Sequence, residues 1–207
     1  QFEYVSCSGC GTLYQSPRPR PDAFEDFYNN SASSRYWADT FLPSVAEPRR
    51  FNIFKPRVKR LIEFCADKTI NPLTVMDVGA GSGIFLQEWQ KHYPKARLIA
   101  VEPNESLADV CRNKGLEVVR DFAENISGHD STADLVVCFE VLEHVYDPLS
   151  FIQILKRFVK PGGYLMVSTL SVDGFDIQVL WEQSKSISPP HHINYFSIEG
   201  FRILFSR

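Results

Sequence analysis

The chain has 207 residues, of which 44% are hydrophobic, 13% aromatic and 23% charged, and these values exclude a disordered or collagen-like protein. At roughly 150 residues per domain, the length predicts one full domain with a smaller appendage. The formal net charge of -3 is too small to predict nonspecific binding to nucleic acids or membrane surfaces. No apolar run approaches the roughly 18 residues of a membrane span, so we expect a cytoplasmic protein without a membrane partner.

The five cysteines and the identity of the first residue each support a separate prediction. The five cysteines are odd in number and widely spread, which favours a reducing compartment over a disulfide framework. Only Cys7 and Cys10 have the spacing of a metal-binding pair, and a structural zinc site needs four ligands. They predict half of a zinc knuckle. The first residue is Gln1 rather than Met, which predicts a trimmed chain, and we expect the other half of the knuckle before it.

The first 47 residues differ from the rest in their patterning. A proline-rich connector at 16–21 follows the cysteine pair, and aromatic residues between 22 and 47 predict short helices. Beyond Pro56, apolar residues recur at helical spacing and lead into the main domain. We therefore predict a small cap at 1–47 and a main domain at 48–207.

The main domain alternates short apolar runs with longer amphipathic segments. The predicted strands are 74–78, 97–101, 117–120, 134–139 and 164–169, and the predicted helices are 84–93, 105–114 and 148–159. Alternating strands and helices predict an α/β fold with a doubly wound, mostly parallel sheet. The periodicity weakens from 170 to 190, and a last helix is predicted from Ser197.

A glycine-rich turn follows the first of these strands, with the pattern Asp77-Val78-Gly79-Ala80-Gly81-Ser82-Gly83. Glycines let the backbone turn tightly and approach a ligand where a Cβ would collide. A dinucleotide fingerprint needs its third glycine where this chain has Ile84, so the nicotinamide pattern is not met. We favour a ligand-binding turn over one that serves packing alone.

Glu102 ends the second strand and lies 19 positions after Gly83. An acidic side chain at the carboxyl end of this strand can accept hydrogen bonds from both hydroxyls of a ribose. An acid at a strand end is also a common solvated cap. The spacing of about 20 residues is the one expected of a ribose-binding acid, and it favours that interpretation.

These motifs, together with 100–104, 133–145 and 155–169, resemble the class I S-adenosylmethionine-dependent methyltransferases over about residues 57–170. Within them the chain is similar to ubiquinone-biosynthesis and sugar methyltransferases, some of which carry an N-terminal cysteine knuckle. The resemblance implies a Rossmann-like sheet whose last two strands, one of them antiparallel, would follow the fifth. We expect those two strands to be missing, because the chain stops at Arg207.

The resemblance also implies S-adenosylmethionine as the cofactor. It assigns Gly79, Gly81 and Gly83 to the methionine portion, Glu102 to the ribose, Asp121 and Phe122 to the adenine, and Phe139 to a backbone contact, with Asp77, Ala80, Pro103 and Glu140 as further cofactor-site residues. Arg57 is a candidate partner for the methionine carboxylate, because a guanidinium can donate two hydrogen bonds to one carboxylate. A surface role for Arg57 is equally open.

Methyl transfer from a sulfonium needs an aligned acceptor and, for a hydroxyl or amine, removal of a proton. The candidate catalytic residues are Glu143, His144 and His192, with His191 beside them. The Glu-x-x-Glu-His pattern ending at His144 resembles the magnesium site of small-RNA 3′-terminal 2′-O-methyltransferases. We favour a structural loop there and expect no magnesium. The segment around His192 resembles the His-x-Asn-Tyr-Phe-Ser stretch of small-molecule methyltransferases, which favours a substrate-side role.

Three functions fit these residues. The leading hypothesis is methyl transfer to a small molecule, such as a sugar or another cell-surface or secondary-metabolite precursor. The alternatives are a magnesium-dependent RNA 2′-O-methyltransferase and a cofactor-binding but inactive scaffold. The near-neutral charge argues against a nucleic-acid partner. A basic run at 49–60 contains no acid and predicts either a solvated face or a rim for a phosphate-bearing substrate.

Overall fold

The computed structural model describes residues 2–68 and 73–206, and the chain divides into two compact units. The hairpin unit comprises Gln1–Phe24, Phe139–Gln153 and Val167–Arg207. The sheet unit comprises Glu25–Cys138 and Ile154–Met166. The boundary expected at residue 48 stays a prediction.

Strands and helices alternate through most of the chain. The described strands are β1 (Tyr4–Ser6), β2 (Leu13–Gln15), β3 (Thr74–Val78), β4 (Arg97–Val101), β5 (Glu117–Val119), β6 (Ala133–Phe139), β7 (Val159–Ser168) and β8 (Asn194–Tyr195). The described α-helices are α1 (Pro21–Asn30), α2 (Ala32–Tyr36), α3 (Leu42–Ser44), α4 (Ala46–Arg49), α5 (Lys55–Asp67), α6 (Ile84–Gln90), α7 (Glu105–Asn113), α8 (Pro148–Phe158), α9 (Phe175–Leu180) and α10 (Ile198–Ser206). Short 3₁₀ segments lie at Ala123–Asn125, Leu142–His144 and Trp181–Gln183, and π-helical turns lie at Trp37–Phe41 and Arg50–Phe54. Among the described residues, no helix is both long and apolar enough to cross a membrane.

A five-stranded sheet has the order β5-β4-β3-β6-β7, with β3 parallel to β4 and β6, and β4 parallel to β5. The chain winds to one side from β3 to β5 and to the other side from β6 to β7. This confirms the predicted doubly wound, mostly parallel α/β fold. In such sheets ligands bind outside the carboxyl ends of the strands where the winding direction reverses, and here that point is the end of β3.

The core of the sheet unit lies on both faces of the central strands. All five residues of β3 are buried, and α6 contributes the fully buried Phe85 and Trp89. A strand buried on both faces is mostly apolar, as Leu98–Val101 of β4 are, while β3 also buries the polar Thr74 and Asp77 among its apolar residues. Burial of each large side chain contributes about 1.5–3 kcal/mol to stability.

The hairpin unit is built around a small antiparallel sheet in the order β1-β2-β8. Leu13 pairs with Tyr195 and Tyr14 with Asn194, so the N-terminal hairpin carries a strand from the other end of the sequence. The helix predicted from Ser197 begins one residue later, and the Ser197 hydroxyl caps it by accepting the Gly200 N–H at 2.8 Å.

Several elements differ from the prediction. Strands β1, β2 and β8 were not expected, some other elements end one to three residues from their predicted limits, and β7 and α9 differ most within the main domain. Strand β7 begins at Val159 rather than at 164, because Gly162 and Gly163 lie within the strand and do not end a turn before it. A Cβ on Gly163 would lie 2.9 Å from the Asp134 carbonyl oxygen, so this glycine permits a close backbone approach. Helix α9 was not predicted, since it buries one residue, Ile177, and has no apolar stripe to read.

Candidate functional site

The glycine turn opens directly from the buried end of β3. The backbone N–H groups of Gly79 and Ala80 donate to the Val101 carbonyl at 2.9 and 3.1 Å, which ties the turn to β4. Gly79, Gly81 and Gly83 all have positive φ, at 78°, 54° and 70°. This left-handed conformation costs little for glycine and explains the alternation of glycines.

Gly81 and Gly83 are required for different reasons. A Cβ on Gly83 would lie 2.7 Å from Leu116 Cδ1 and 3.0 Å from Cys111 Sγ, so packing alone demands glycine there. A Cβ on Gly81 would meet nothing within 4 Å. The turn therefore presents open space at Gly81, as a backbone that cradles a ligand must.

Glu102 lies against this turn. Its Oε2 accepts the Gly81 N–H at 2.8 Å and its Oε1 accepts the Asn104 N–H at 2.9 Å, across the intervening Pro103. Burial raises the pKa of Glu102 to about 7, although the two N–H groups stabilise the anion. Each carboxylate oxygen has two lone pairs, so each can accept a further donor such as a ribose hydroxyl.

Asp77 is a second buried carboxyl beside the turn. It is 2% exposed within β3, and burial, with a smaller contribution from the Glu102 charge, raises its pKa to about 7. Arg57, in α5, lowers that pKa and so stabilises the anion. Two carboxyls and one guanidinium therefore interact at the end of β3, while the predicted contact of Arg57 with a methionine carboxylate stays a prediction.

Replacing Asp77 by Asn should raise the melting temperature more at pH 8 than at pH 6. With a folded-state pKa of about 7, the buried carboxylate penalises the folded state increasingly as pH rises from about 4, and fully above 7. Removing the charge should stabilise the protein by about 1–3 kcal/mol at pH 8, or roughly 2–12 °C by scanning calorimetry. The exposed Asp67→Asn is the control. Destabilisation by D77N at pH 8 would show that attraction to Arg57 outweighs burial.

Asp121 and Phe122, predicted at the adenine, follow β5. The Asp121 Oδ1 accepts the Phe122 N–H and the Asn125 side-chain N–H, both at 2.8 Å. These bonds shape the start of the short helix Ala123–Asn125. Asp121 thus fixes the loop that carries Phe122, and its adenine role stays a prediction.

Phe139 and Glu140 belong to the hairpin unit, at the end of β6. Glu140 has a positive φ of 57°, which is uncommon for a residue with a side chain. Its N–H donates to the Ser168 carbonyl at 2.9 Å and its Oε1 accepts the Ser168 hydroxyl at 2.6 Å. Ser168 therefore holds both the backbone and the carboxylate of Glu140.

The three predicted catalytic residues come together in the hairpin unit. One ligand atom from each of Glu143, His144 and His192 lies within 4.8 Å of the others, and the two imidazole rings are 4.7 Å apart. Glu143 is 1% exposed and accepts the Thr169 hydroxyl at 2.7 Å. Burial raises the pKa of Glu143 to about 7 and lowers that of His144 to about 3.

Backbone carbonyls set the tautomer of both histidines. Nδ1 of His144 lies 2.7 Å from the His191 carbonyl, and Nδ1 of His192 lies 2.7 Å from the Ser186 carbonyl. A carbonyl only accepts, so each Nδ1 carries the proton and each Nε2 carries the lone pair. Two neutral imidazoles beside a carboxyl can accept a proton, and the same donor set suits a divalent cation.

Cys7 and Cys10 lie in the connection between β1 and β2. The Cys7 N–H donates to the Thr12 carbonyl at 2.8 Å, and the Gly11 N–H donates to the Cys7 carbonyl at 2.7 Å. Hydrogen bonds from the Gly9 and Cys10 N–H groups lower the pKa of the Cys7 thiol, which suits a thiolate ligand. Within 2–68 and 73–206, neither cysteine belongs to a cluster of three potential metal ligands, and the zinc site stays a prediction.

The basic run at 49–60 is partly neutralised. Arg50 donates to Glu88 at 2.6 Å and to Glu47 at 2.9 Å, and the Lys55 ammonium lies 3.8 Å from the centre of the Phe51 ring. Glu47 and Glu88, which lie outside the run, therefore neutralise part of its positive charge. The rim for a phosphate-bearing substrate stays a prediction.

The sequence did not point to several residues that hold this arrangement. The Thr169 hydroxyl donates to Glu143, and the Ser168 hydroxyl donates to Glu140. The Asn194 side chain donates to the Leu142 and Val145 carbonyls, on either side of Glu143 and His144. Asn194 stands in the segment that resembles small-molecule methyltransferases, so its position was visible there. Its long-range hydrogen bonds were not, because no local pattern encodes them.

Comparison with protein families places residues 49–207 in a methyltransferase domain family. The ubiquinone biosynthesis O-methyltransferase of Aliivibrio fischeri is 38% identical over 104 residues, covering 47% of this chain and 44% of that protein. The Vibrio cholerae protein of the same name is 35% identical over 104 residues, covering 47% of this chain and 42% of its own. The match thus spans less than half the length of these curated relatives.

Solved structures agree on the fold. The plantazolicin methyltransferase BpumL in complex with SAH covers 89% of this chain and 72% of its own, with a TM-score of 0.68 and 13% identity. A SAM-dependent methyltransferase from Thermotoga maritima, described as a possible histamine N-methyltransferase, covers 80% and 77%, with a TM-score of 0.56 and 27% identity. The family match, the doubly wound sheet and the glycine turn agree, and the chain belongs to the class I S-adenosylmethionine-dependent methyltransferases.

Proposed function

We propose that this protein transfers a methyl group from S-adenosylmethionine to a small molecule whose acceptor atom loses a proton, such as a hydroxyl of a sugar or of a secondary-metabolite precursor. Relatives named ubiquinone biosynthesis O-methyltransferase, at 35–38% identity, support a small hydroxyl-bearing acceptor. The observation that carries the proposal is the pair of neutral imidazoles, His144 and His192, beside the buried Glu143.

The residues at the end of β3 fit the cofactor. Gly81 faces open space where a Cβ would meet no atom, and its N–H already aligns the Glu102 carboxylate. Glu102 is held at both oxygens by backbone N–H groups, so it is oriented before a ribose arrives. When bound, the cofactor supplies an activated methyl group, and the protein has only to orient the acceptor and remove its proton.

The histidine pair fits the removal of that proton. The carbonyls at Nδ1 leave Nε2 of His144 and His192 as the basic atoms. Burial lowers the pKa of both imidazoles, so both are neutral at neutral pH with a lone pair on Nε2. The pKa of His144 falls to about 3, which makes His144 a weak base and favours His192 as the proton acceptor. The raised pKa of Glu143 suits a group that shares the proton with the imidazoles after transfer.

The direct test is a panel of acceptors with the full chain and S-adenosylmethionine, followed by mass spectrometry of the products and of S-adenosylhomocysteine. We expect methylation of at least one small hydroxyl compound, without a requirement for RNA. A chelator and added magnesium serve as parallel arms. Methylation of RNA 3′ ends that depends on magnesium, or no turnover by a folded protein that binds the cofactor, would overturn the proposal.

The cofactor site has a matched pair of glycine variants. Gly81 and Gly115 both have positive φ, and at both a Cβ would meet nothing within 4 Å. Alanine should cost each site about 1–2 kcal/mol through backbone conformation alone. Gly81→Ala should additionally weaken S-adenosylhomocysteine binding at least about tenfold by calorimetry, whereas Gly115→Ala should not. Equal affinities of the two variants for S-adenosylhomocysteine would show that the glycine turn is not part of the binding site.

A further inference from the structure

The Glu143–His144 turn is held by one short segment, residues 191–194. The His191 carbonyl fixes the His144 ring, and the Ile193 N–H donates to the Glu143 carbonyl at 2.8 Å. The Asn194 amide adds two bonds, because Nδ2 donates to the Val145 carbonyl at 2.8 Å and to the Leu142 carbonyl at 3.3 Å. These two carbonyls bracket the catalytic turn on both sides.

Asn194 is buried, at 2% exposure, and its amide can adopt only one orientation. Two carbonyls require the nitrogen on one side, and the Arg18 guanidinium requires the oxygen on the other, with Nη2 2.5 Å from Oδ1. Arg18 also donates to the Tyr146 carbonyl, at the end of the same turn. The Arg18 guanidinium therefore binds both Asn194 and the end of the turn to which Asn194 donates.

Arg18 is itself held by aromatic rings and by the hairpin. Its guanidinium carbon lies 5.6 Å from the centre of the Tyr146 ring and 6.0 Å from that of Tyr14. Tyr14 is the residue of β2 that pairs with Asn194 in β8. Cation–π contacts of this kind contribute roughly 0.5–2 kcal/mol each.

We infer that Asn194 and Arg18 are positioning residues for methyl transfer, which lock the turn carrying Glu143 and His144 to the strand that follows His192. The inference rests on the proposed function of the histidine pair. It makes the hairpin Tyr4–Gln15 and its connector part of the machinery that aligns the proton acceptor. The Tyr4 hydroxyl adds to this alignment by donating to the His192 carbonyl at 2.7 Å.

Asn194→Asp is the sharpest variant. An aspartate has the same shape and gains an ion pair with Arg18, but it turns an oxygen towards the Leu142 and Val145 carbonyls and loses both donors. Arg18→Gln is the second variant and leaves the Asn194 donors in place. Asn113→Asp, at the exposed end of α7, controls for the added charge.

We expect N194D to lower kcat at least about tenfold with KM within about twofold, and to shift the pH profile of kcat, whereas N113D leaves both unchanged. R18Q should lower kcat in the same direction by less. Histidine ring ¹⁵N spectra provide a readout without turnover, and N194D should alter the His144 signals while S-adenosylhomocysteine affinity is retained. If N194D is unfolded, R18Q decides on the same measurements. An active wild type with unchanged kcat, pH profile and ring signals in the folded variants would overturn the inference. An inactive wild type would instead count against the proposed function.

Discussion

Replacing Glu102 by Gln should weaken binding of S-adenosylhomocysteine about 100-fold at pH 8. The carboxylate has one backbone N–H on each oxygen, and the remaining lone pairs can accept two ribose hydroxyls. A hydrogen bond to a charged acceptor contributes about 1.5–3 kcal/mol, and about 2.7 kcal/mol corresponds to a factor of 100. Glutamine has one acceptor oxygen and no charge, so it cannot hold the turn and both hydroxyls together.

The same residue should make affinity depend on pH. Because the pKa of Glu102 is raised to about 7, the carboxylate is mostly ionised at pH 8 and mostly protonated at pH 6. Wild-type affinity should therefore fall about tenfold per unit below pH 7, whereas the affinity of E102Q should be flat. Titration calorimetry at pH 6, 7 and 8 measures both.

Glu105→Gln is the control for Glu102. Glu105 lies at the start of α7, pairs with Arg120 and has a side chain that is 76% exposed. E105Q should bind the cofactor product as the wild type does. If E102Q bound S-adenosylhomocysteine at pH 8 as tightly as the wild type, Glu102 would not be a cofactor ligand. If the affinity of E102Q still fell with decreasing pH, the titrating group would be Asp77.

Replacing Gly83 by Ala should destabilise the protein by about 2–5 kcal/mol. The new Cβ would lie 2.7 Å from Leu116 Cδ1 and 3.0 Å from Cys111 Sγ, at a φ of 70°. Overpacking costs about 1–3 kcal/mol, and the left-handed conformation adds about 1–2 kcal/mol. The melting temperature should fall by roughly 4–20 °C.

Gly115→Ala isolates the backbone part of this cost, since its φ is 76° and its Cβ would meet no atom within 4 Å. G115A should lose about 1–2 kcal/mol, so the difference between the variants measures the clash. In a Leu116→Ala background the G83A substitution should cost less than it does in the wild type, because the nearer atom is gone; the L116A single variant is the reference. Equal melting temperatures for G83A and G115A would contradict the packing explanation.

The sheet could be predicted because its strands are short segments rich in apolar residues that alternate with amphipathic helices. Strands β3 and β4 match their predicted limits, since both are buried strands bounded by charged or turn-forming residues. The start of β7 could not be predicted, because Gly163 serves a backbone contact with Asp134 and the sequence offered only a turn signal. The positions of the glycine turn after β3 and of Glu102 after β4 could be predicted because both patterns are local to the end of a strand, while their part in binding a cofactor stays a prediction.

The candidate catalytic arrangement could be predicted only in part. Glu143 and His144 are neighbours in sequence, but His192 joins them through contacts that no local pattern contains. The pairing of β2 with β8 is equally invisible, because each strand is only two or three residues long. Asn194 and Arg18 likewise carry no local signal, because their hydrogen bonds join distant segments of the chain.

The pairing of β2 with β8 also orders events in time. The Tyr4 hydroxyl and the His192 carbonyl are 188 positions apart in sequence, and Tyr14 and Asn194 are almost as distant. Contacts between residues so far apart in sequence form late in folding, because closing the long loop between them costs chain entropy. That cost is offset only once much of the surrounding structure has formed. During synthesis the hairpin of β1 and β2 can form early, but its pairing with β8 must wait until residue 195 is made, whereas the glycine turn and Glu102 can meet as soon as β4 is followed by Glu102. The histidine pair would then assemble last, after the glycine turn has formed.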